Sequence, residues 1–355
     1  MSLRYCRPLP PDLESRLLTR LRNASEKLRG VRSRRVVDVF ERLGYIWPHQ
    51  VRVAEMAGRS PYAAFNPAAL PLDGGRVAVL PRLITGYFWY TSVVGYFEVE
   101  SLEEPPGSVE ARVVLYPRTR LDLAGCEDPR AEREGDRIYL LYTAMEPLPE
   151  RVHAVNAISR QGLAVLDAST LKPLERGVLC MSGGEEFYEP AEWKDSALLG
   201  VSRKTWLLTR ITLRGVQASW RGLLDMEDYS VPVDTLEPIL LPEPWEYKTG
   251  WSTNAVKISS NEYIVGWHGV GRDLVYRSGF AVVSREGELL GVTDYVLEPR
   301  TPEEYIGERP GVIFGCGLLL QGDSLIWVGG VADTGIGFYR ARLDDVMEQV
   351  KWLKP

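Results

Sequence analysis

Sulfur, side-chain amides and long apolar runs are all scarce in this chain of 355 residues. The four cysteines, Cys6, Cys126, Cys180 and Cys316, are far apart and none stands in CxxC spacing. That spacing indicates neither a disulfide framework nor a zinc site. The three histidines, His49, His153 and His268, have no Cys or carboxylate partners at ligand spacing, so no metal centre is expected. No apolar stretch approaches the roughly 18 residues of a membrane span, and Met1-Ser2-Leu3-Arg4 is not followed by an apolar h-region. A cytoplasmic, reduced protein is the resulting expectation. A Gly-rich phosphate loop, a dinucleotide fingerprint and a Ser-centred nucleophile elbow are also missing.

What is present is the composition of a globular protein, 45% hydrophobic and 25% charged. The net charge of -6 argues against a general nucleic-acid binder. That charge is uneven: residues 1–59 hold thirteen basic and six acidic residues, a net of +7, which leaves -13 on the remainder. The basic residues fall within an amphipathic pattern and not in an aromatic-interleaved patch. A helical extension docking on acidic surface, its own or a neighbour's, is therefore expected, with a homo-oligomer through the N-terminal helices as one form of it.

Leu13, Leu17, Leu21, Ala24 and Leu28 recur at helical spacing, and Val36, Val37, Phe40 and Leu43 continue the pattern, which predicts helix over 11–57. After Ser60 short apolar runs alternate with Gly, Pro, Asn and Asp, as in a multi-stranded β domain. One hairpin recurs five times within it. Its second strands begin at Arg76, Arg137, Thr205, Glu262 and Ser324, at spacings of 61, 68, 57 and 62 residues. A tight turn precedes each, and the strand before each turn opens at AFNPA, CEDPR, WKDSA, WSTNA or PGVIFG. A fixed period with one supersecondary unit per copy signals a repeat architecture. About 60 residues suit a four-stranded blade with generous loops. The expected fold is all-β, a five-bladed β-propeller over 60–355, with residues 1–59 as an N-terminal helical extension.

In an antiparallel hairpin the start of the first strand lies beside the end of the second. Here those two places hold polar residues: Asn66, Glu127-Asp128, Lys194-Asp195 and Ser252-Thr253-Asn254 at the starts, and Arg82, Tyr142-Thr143, Arg210, His268 and Asp333-Thr334 at the ends. If these are the inner strands, all five sets converge at one end of a wet axial channel, where buried polar groups are tolerated.

The motifs on these positions are Phe65-Asn66-Pro67, Gly125-Cys126-Glu127-Asp128-Pro129-Arg130 and Lys194-Asp195-Ser196-Ala197-Leu198. They continue with Trp267-His268-Gly269-Val270, Tyr276-Arg277-Ser278-Gly279, Phe314-Gly315-Cys316-Gly317 and Ala332-Asp333-Thr334. In this order they resemble glycoside hydrolase family 130, the mannoside phosphorylases and related β-mannosidases, over most of residues 60–350. The resemblance implies a five-bladed propeller and a single catalytic acid, the Asp of the EDPR motif, which matches Asp128. It also implies a proton relay through a hydroxyl of the mannose ring. Two departures stand out: Gly315 replaces a usual Pro, and Gly329 replaces an aromatic residue, both expected to reshape the sugar pocket.

Inverting cleavage needs an acid on the leaving oxygen and a nucleophile on the opposite face. Water requires a second carboxylate as base, whereas phosphate arrives as an anion and requires cations. Lys194, Arg210 and His268, at equivalent ends of different hairpins, are the candidate phosphate ligands; singly, each reads as a solvated charge or a satisfied buried histidine. Asn66, Arg82, Glu127, Arg130, Tyr276, Arg277 and Asp333 are candidate sugar-binding groups, with blade-to-blade hydrogen bonding as the plainer reading. Trp193, Trp251 and Trp267 are candidates for stacking on pyranose faces, although such tryptophans are more often core. Asp128 alone would read as a turn-starting residue before Pro129.

The expected function is an inverting phosphorylase of β-mannosides that uses inorganic phosphate as co-substrate, needs no cofactor and binds a small oligosaccharide. The rival readings are a β-mannosidase using water, with Asp195 or Glu192 as second carboxylate, and a non-catalytic sugar-binding propeller.

Overall fold

The computed structural model describes residues 6–102, 105–148 and 157–353; His153 lies outside them. The chain is mostly β, in four sheets of nine, eight, five and four strands, within which five antiparallel runs of four strands, or units, can be followed. The first contains Ala63–Pro71, Val77–Ile84, Ser92–Val99 and Val109–Leu115. The second contains Gly125–Glu134, Arg137–Pro147, Ala157–Asp167 and Pro173–Val178. The third contains Glu192–Leu198, Lys204–Leu213, Val216–Asp225 and Glu237–Leu240, and the fourth Glu246–Lys257, Glu262–Gly271, Tyr276–Ser284 and Leu289–Val292. Ile313–Gln321, Ser324–Val331 and Gly335–Arg342 form the fifth with Glu41–Ile46, which arrives from the N-terminal side of the chain.

The leading strands of these units lie side by side, and that of the fifth packs against that of the first. Ala63–Pro71 is buried at every position but the last, as expected of a strand covered on both faces. Val109–Leu115, at the outside of its unit, begins by alternating buried and exposed residues. The hairpins turn where glycine can take positive φ, as at Gly135 (φ 59°) and Gly322 (φ 63°).

The helix expected over 11–57 is half right. Pro11–Leu28 is helical, with Pro at its start, acidic Asp12 and Glu14 in the first turn, and Leu17 and Leu21 buried. Residues 36–57 are strand and short 3-10 turns instead. Val36, Val37, Val39 and Phe40 are β-branched or aromatic, and Glu41–Ile46 finds an open sheet edge in Gly335–Arg342. The helix docks on its own chain: Arg16 pairs with Asp234 at 2.5 Å, and Arg20 donates to the Val233 and Leu236 carbonyls at 2.8 Å each.

The cysteine spacing also misled. Cys6 and Cys180 form a disulfide across 174 residues, with Cα atoms 6.0 Å apart. Arg7–Pro8 runs parallel to Tyr188–Glu189, and this long-range pairing, which leaves no local signal, brings the two cysteines together. The argument for a reduced protein therefore falls. Among the described residues no helix is long and apolar enough to cross a membrane.

Candidate active site

Each leading strand slips register against its partner near the same end. The slips fall between Phe65 and Ala68, Glu127 and Arg130, Lys194 and Ala197, Trp251 and Ala255, and Gly315 and Gly317. Such bulges re-aim side chains. At three of them a polar residue takes the left-handed backbone: Asn66 (φ 46°), Asp128 (φ 47°) and Asp195 (φ 54°). Asn and Asp tolerate that conformation better than other side-chain-bearing residues. The bulges thus deliver three polar side chains to one place.

That place is a cavity of about 420 Å³. Of the residues expected from sequence, Asn66, Arg82, Glu127, Asp128, Lys194, Arg210, His268, Tyr276 and Asp333 line it. Two do not. Arg130 is only 3% exposed and lies behind the wall, donating to the Ser252 carbonyl at 2.7 Å, the Asp128 carbonyl at 2.8 Å and Asp195 Oδ1 at 3.2 Å. Arg277 is paired with Asp273 at 2.9 Å and Glu298 at 3.1 Å. The first braces the site and the second braces the fourth unit, and neither is among the residues lining the cavity. Trp193, Trp251 and Trp267 are fully buried core, not stacking platforms.

On one side of the cavity stands Asp128. Its Oδ1 accepts from Asn66 Nδ2 at 2.8 Å and from Arg82 Nη1 at 3.3 Å, leaving Oδ2 for a substrate. Arg82 also donates to Glu127 Oε1 at 2.7 Å and to Ser92 Oγ at 2.9 Å. Burial works against the Arg82 charge, but Glu127, Asp128 and Asp333 outweigh it and raise its pKa. Burial pushes the Glu127 carboxyl up, with Arg82 opposing. Glu127 thus steadies the guanidinium that holds Asp128. Asp333 is different: burial, opposed by Arg309 and Arg82, lifts its carboxyl to about 6.

The other side is cationic. Asp195 accepts from Arg130 and pairs with Arg210 Nε at 2.8 Å. Burial would raise its carboxyl, but Arg210, Arg130 and Lys194 outweigh that and hold it well below the usual range. Among the described residues, neither Lys194 nor Lys248 makes a hydrogen bond or ion pair to a protein group; Lys248 Nζ lies 4.9 Å from the Tyr276 ring. Burial and then Arg210 depress both lysines, Lys248 to about 8. Burial takes His268 well below its ordinary value, so it is neutral at pH 7. Ser252 Oγ meets its Nδ1 at 3.0 Å, so Nε2 remains for a ligand. The trio of cations expected from sequence is therefore two cations and a neutral imidazole, with Lys248 as a further cation.

Sequence reasoning missed Lys248, Tyr90, Glu308 and Arg309, all of which line the cavity. Lys248 was within reach, because the fourth leading strand begins at Glu246, five residues before the Trp251 taken as its opening. The others come from loops and not from the strand ends that the repeat picks out. The two glycine departures have a shared cause: a Cβ at Gly315 or Gly329 would come within 2.2 or 2.3 Å of the Trp327 indole. Trp327 is fully buried and neither glycine lines the cavity, so both changes make room in the core and leave the pocket alone.

A family model described as β-1,4-mannooligosaccharide phosphorylase matches residues 31–352. Comparison with curated protein sequences finds no match. Among solved structures, the β-1,2-mannobiose phosphorylase of Listeria innocua, complexed with β-1,2-mannobiose, superposes with TM-score 0.64 and 18% identity. The match covers 82% of this chain and 92% of that one. MPT-4, a mannose phosphorylase of Leishmania mexicana solved with a phosphate ion, has TM-score 0.58 and 12% identity over 97% and 98%. A structure described among glycoside hydrolases that target β-1,2-mannosidic linkages in Candida mannan has TM-score 0.59 and 17% identity over 83% and 87%. At such identities the likeness is one of fold.

Proposed function

This chain belongs to glycoside hydrolase family 130, whose members act on mannosides, and from that premise we propose that it is an inverting phosphorylase of β-mannosides. Its five units are read as the blades of a closed propeller with the cavity at one end of the axis.

Phosphate sits against Lys194, Lys248, Arg210 and His268 Nε2 and attacks C1 of the mannosyl residue. The C1–O bond to the leaving sugar breaks as the new C1–O–P bond forms with inverted configuration. The proton from Asp128 passes to the leaving oxygen, directly or through a ring hydroxyl. Asn66 and Arg82 hold the Asp128 carboxyl in place, and Asp333 accepts sugar hydroxyls. Opposite placement of acid and nucleophile is what inversion requires.

One observation carries phosphate over water. The buried carboxylate on the cationic side, Asp195, is clamped between Arg130 and Arg210, while Lys194 and Lys248 make no hydrogen bond or ion pair to a described protein group. A base for water is thus neutralised where a cradle for an anion is open. Glu192, the other carboxylate considered, accepts from Thr212 Oγ1 at 3.0 Å and does not line the cavity. Hydrolysis keeps one argument, the Asp333 carboxyl at about 6.

The test is product analysis on β-mannobiose and longer β-mannosides with and without phosphate. α-Mannose 1-phosphate formed only with phosphate supports the proposal. Free mannose released equally well in phosphate-free buffer sinks it.

A further inference from the structure

The cavity, at about 420 Å³, lies toward the lower end of the roughly 300–1,000 Å³ common for ligand pockets. A substrate longer than a few sugars must leave through its mouth. Inversion fixes the direction of exit: phosphate is held from the third and fourth units, so the leaving chain departs on the opposite side, past Asp128 and toward the first unit.

At that side the loop joining Val77–Ile84 to Ser92–Val99 holds four consecutive aromatic residues. Tyr90 lines the cavity. Tyr87 and Trp89 are 71% and 58% exposed, in a protein whose other large rings are mostly buried. Tyr62, from the preceding segment, contacts the Tyr87 ring with centroids 5.4 Å apart and donates to Glu308, which lines the cavity. Tyr62 also meets the Tyr90 ring with centroids 6.2 Å apart, so Tyr87, Tyr62 and Tyr90 are linked ring to ring from the surface to the cavity wall, and Trp89 packs on Phe88 in the same loop at 5.4 Å. Exposed aromatic surface beside a cavity marks a binding site. Rings of this kind stack on flat ligands with apolar faces, and pyranoses present such faces through their C–H bonds.

We propose that Tyr87 and Trp89 form an outer platform for the leaving-group end of the glycan, so that the protein prefers β-mannosides of more than two residues. This rests on the phosphorylase reading, and it concerns only substrate length. The platform acts on binding of the remote sugars and takes no part in bond making.

The experiment compares β-mannobiose with β-mannopentaose as substrates of the wild type and of the Tyr87→Ala/Trp89→Ala double variant. The expected result is a kcat/KM for the pentaose about tenfold above that for the biose in the wild type, falling toward parity in the variant. A wild type indifferent to length overturns the proposal. So does an equal loss on both glycans. A wild-type oligomer that the double substitution converts to monomer overturns it too, because a second copy then covers these rings.

The same comparison is made by titrating both glycans into Asp128→Asn protein, with and without the double substitution. A length-dependent gain in affinity that needs Tyr87 and Trp89 upholds the platform even if no mannose 1-phosphate is ever formed, which would defeat the phosphorylase reading alone. No gain with length overturns the platform while leaving that reading intact.

Discussion

Asn66 Nδ2 donates a 2.8 Å hydrogen bond to Oδ1 of Asp128, and both residues take left-handed backbone at equivalent bulges of adjoining units. The bond joins two units at the group assigned as acid. Loss of that acid in Asp128→Asn is expected to lower kcat by about 10²–10⁴-fold. Asn66→Ala leaves the acid but frees its orientation, and about 10- to 100-fold in kcat is expected, with KM for phosphate little changed. Gly330→Ala should behave like Asn66→Ala, since a Cβ there would stand 2.0 Å from Asn66 Oδ1. Initial rates of mannose 1-phosphate release, with each substrate varied, check all three; a rise in phosphate KM for Asn66→Ala would contradict the placement.

Lys248 predicts a pH dependence. Burial first, and Arg210 second, bring its ammonium to about 8, so its charge is present below that pH and lost above it. Affinity for phosphate should fall as pH rises through about 8, even though inorganic phosphate, which titrates near neutral pH, is gaining negative charge on the way there. In Lys248→Met the KM for phosphate should already be about tenfold higher at pH 7, the worth of one charge-assisted hydrogen bond, and should show no further rise between about pH 8 and 9. A profile that still breaks near pH 8 in the variant would assign the limb to another group.

Much of this site was readable because the repeat places chemistry by register. The second strands of the five hairpins begin within a residue of where the turn signals put them, and nine of eleven expected side chains line one cavity. Arg130 and Arg277 misled because sequence position cannot tell a residue facing the cavity from one facing the next strand. Lys248 was missed by a strand drawn five residues short. Arg309 and Tyr90 sit on loops, off the strand positions that the hairpin register picks out. The strand Glu41–Ile46 was hidden by apolar spacing that suits a helix, and only the open edge of the fifth unit decides it.

Asp333 predicts a trade between stability and activity. Burial, against the pull of Arg309 and Arg82, raises its carboxyl from 3.8 to about 6. A carboxyl raised in the folded state contributes stability in acid that is lost as pH climbs through about 6, so at pH 8 the ionised group is a liability. Asp333→Asn removes it. The variant should gain on the order of 1–3 kcal/mol over the wild type at pH 8 and show no such gain at pH 3.5, while losing activity through the missing acceptor. Thermal unfolding of both proteins across that range checks the sign; a gain that is larger in acid would refute it.

The disulfide between Cys6 and Cys180 predicts how the N-terminal arm is held. It joins the segment before the helix to Cys180–Gly183, which pairs with Glu186–Glu189, and that hairpin leads into the strand carrying Lys194 and Asp195. Closing 174 residues removes much of the freedom of the unfolded chain, worth about 2–5 kcal/mol. Reduction of the wild type should therefore lower its melting temperature by several degrees. The Cys6→Ser/Cys180→Ser variant should melt near the reduced wild type and be insensitive to reductant. Cys126 and Cys316 are free and buried, so they supply no alternative bridge. A wild type whose melting ignores reductant, with four titratable thiols on unfolding, would show that the bond is not formed in solution.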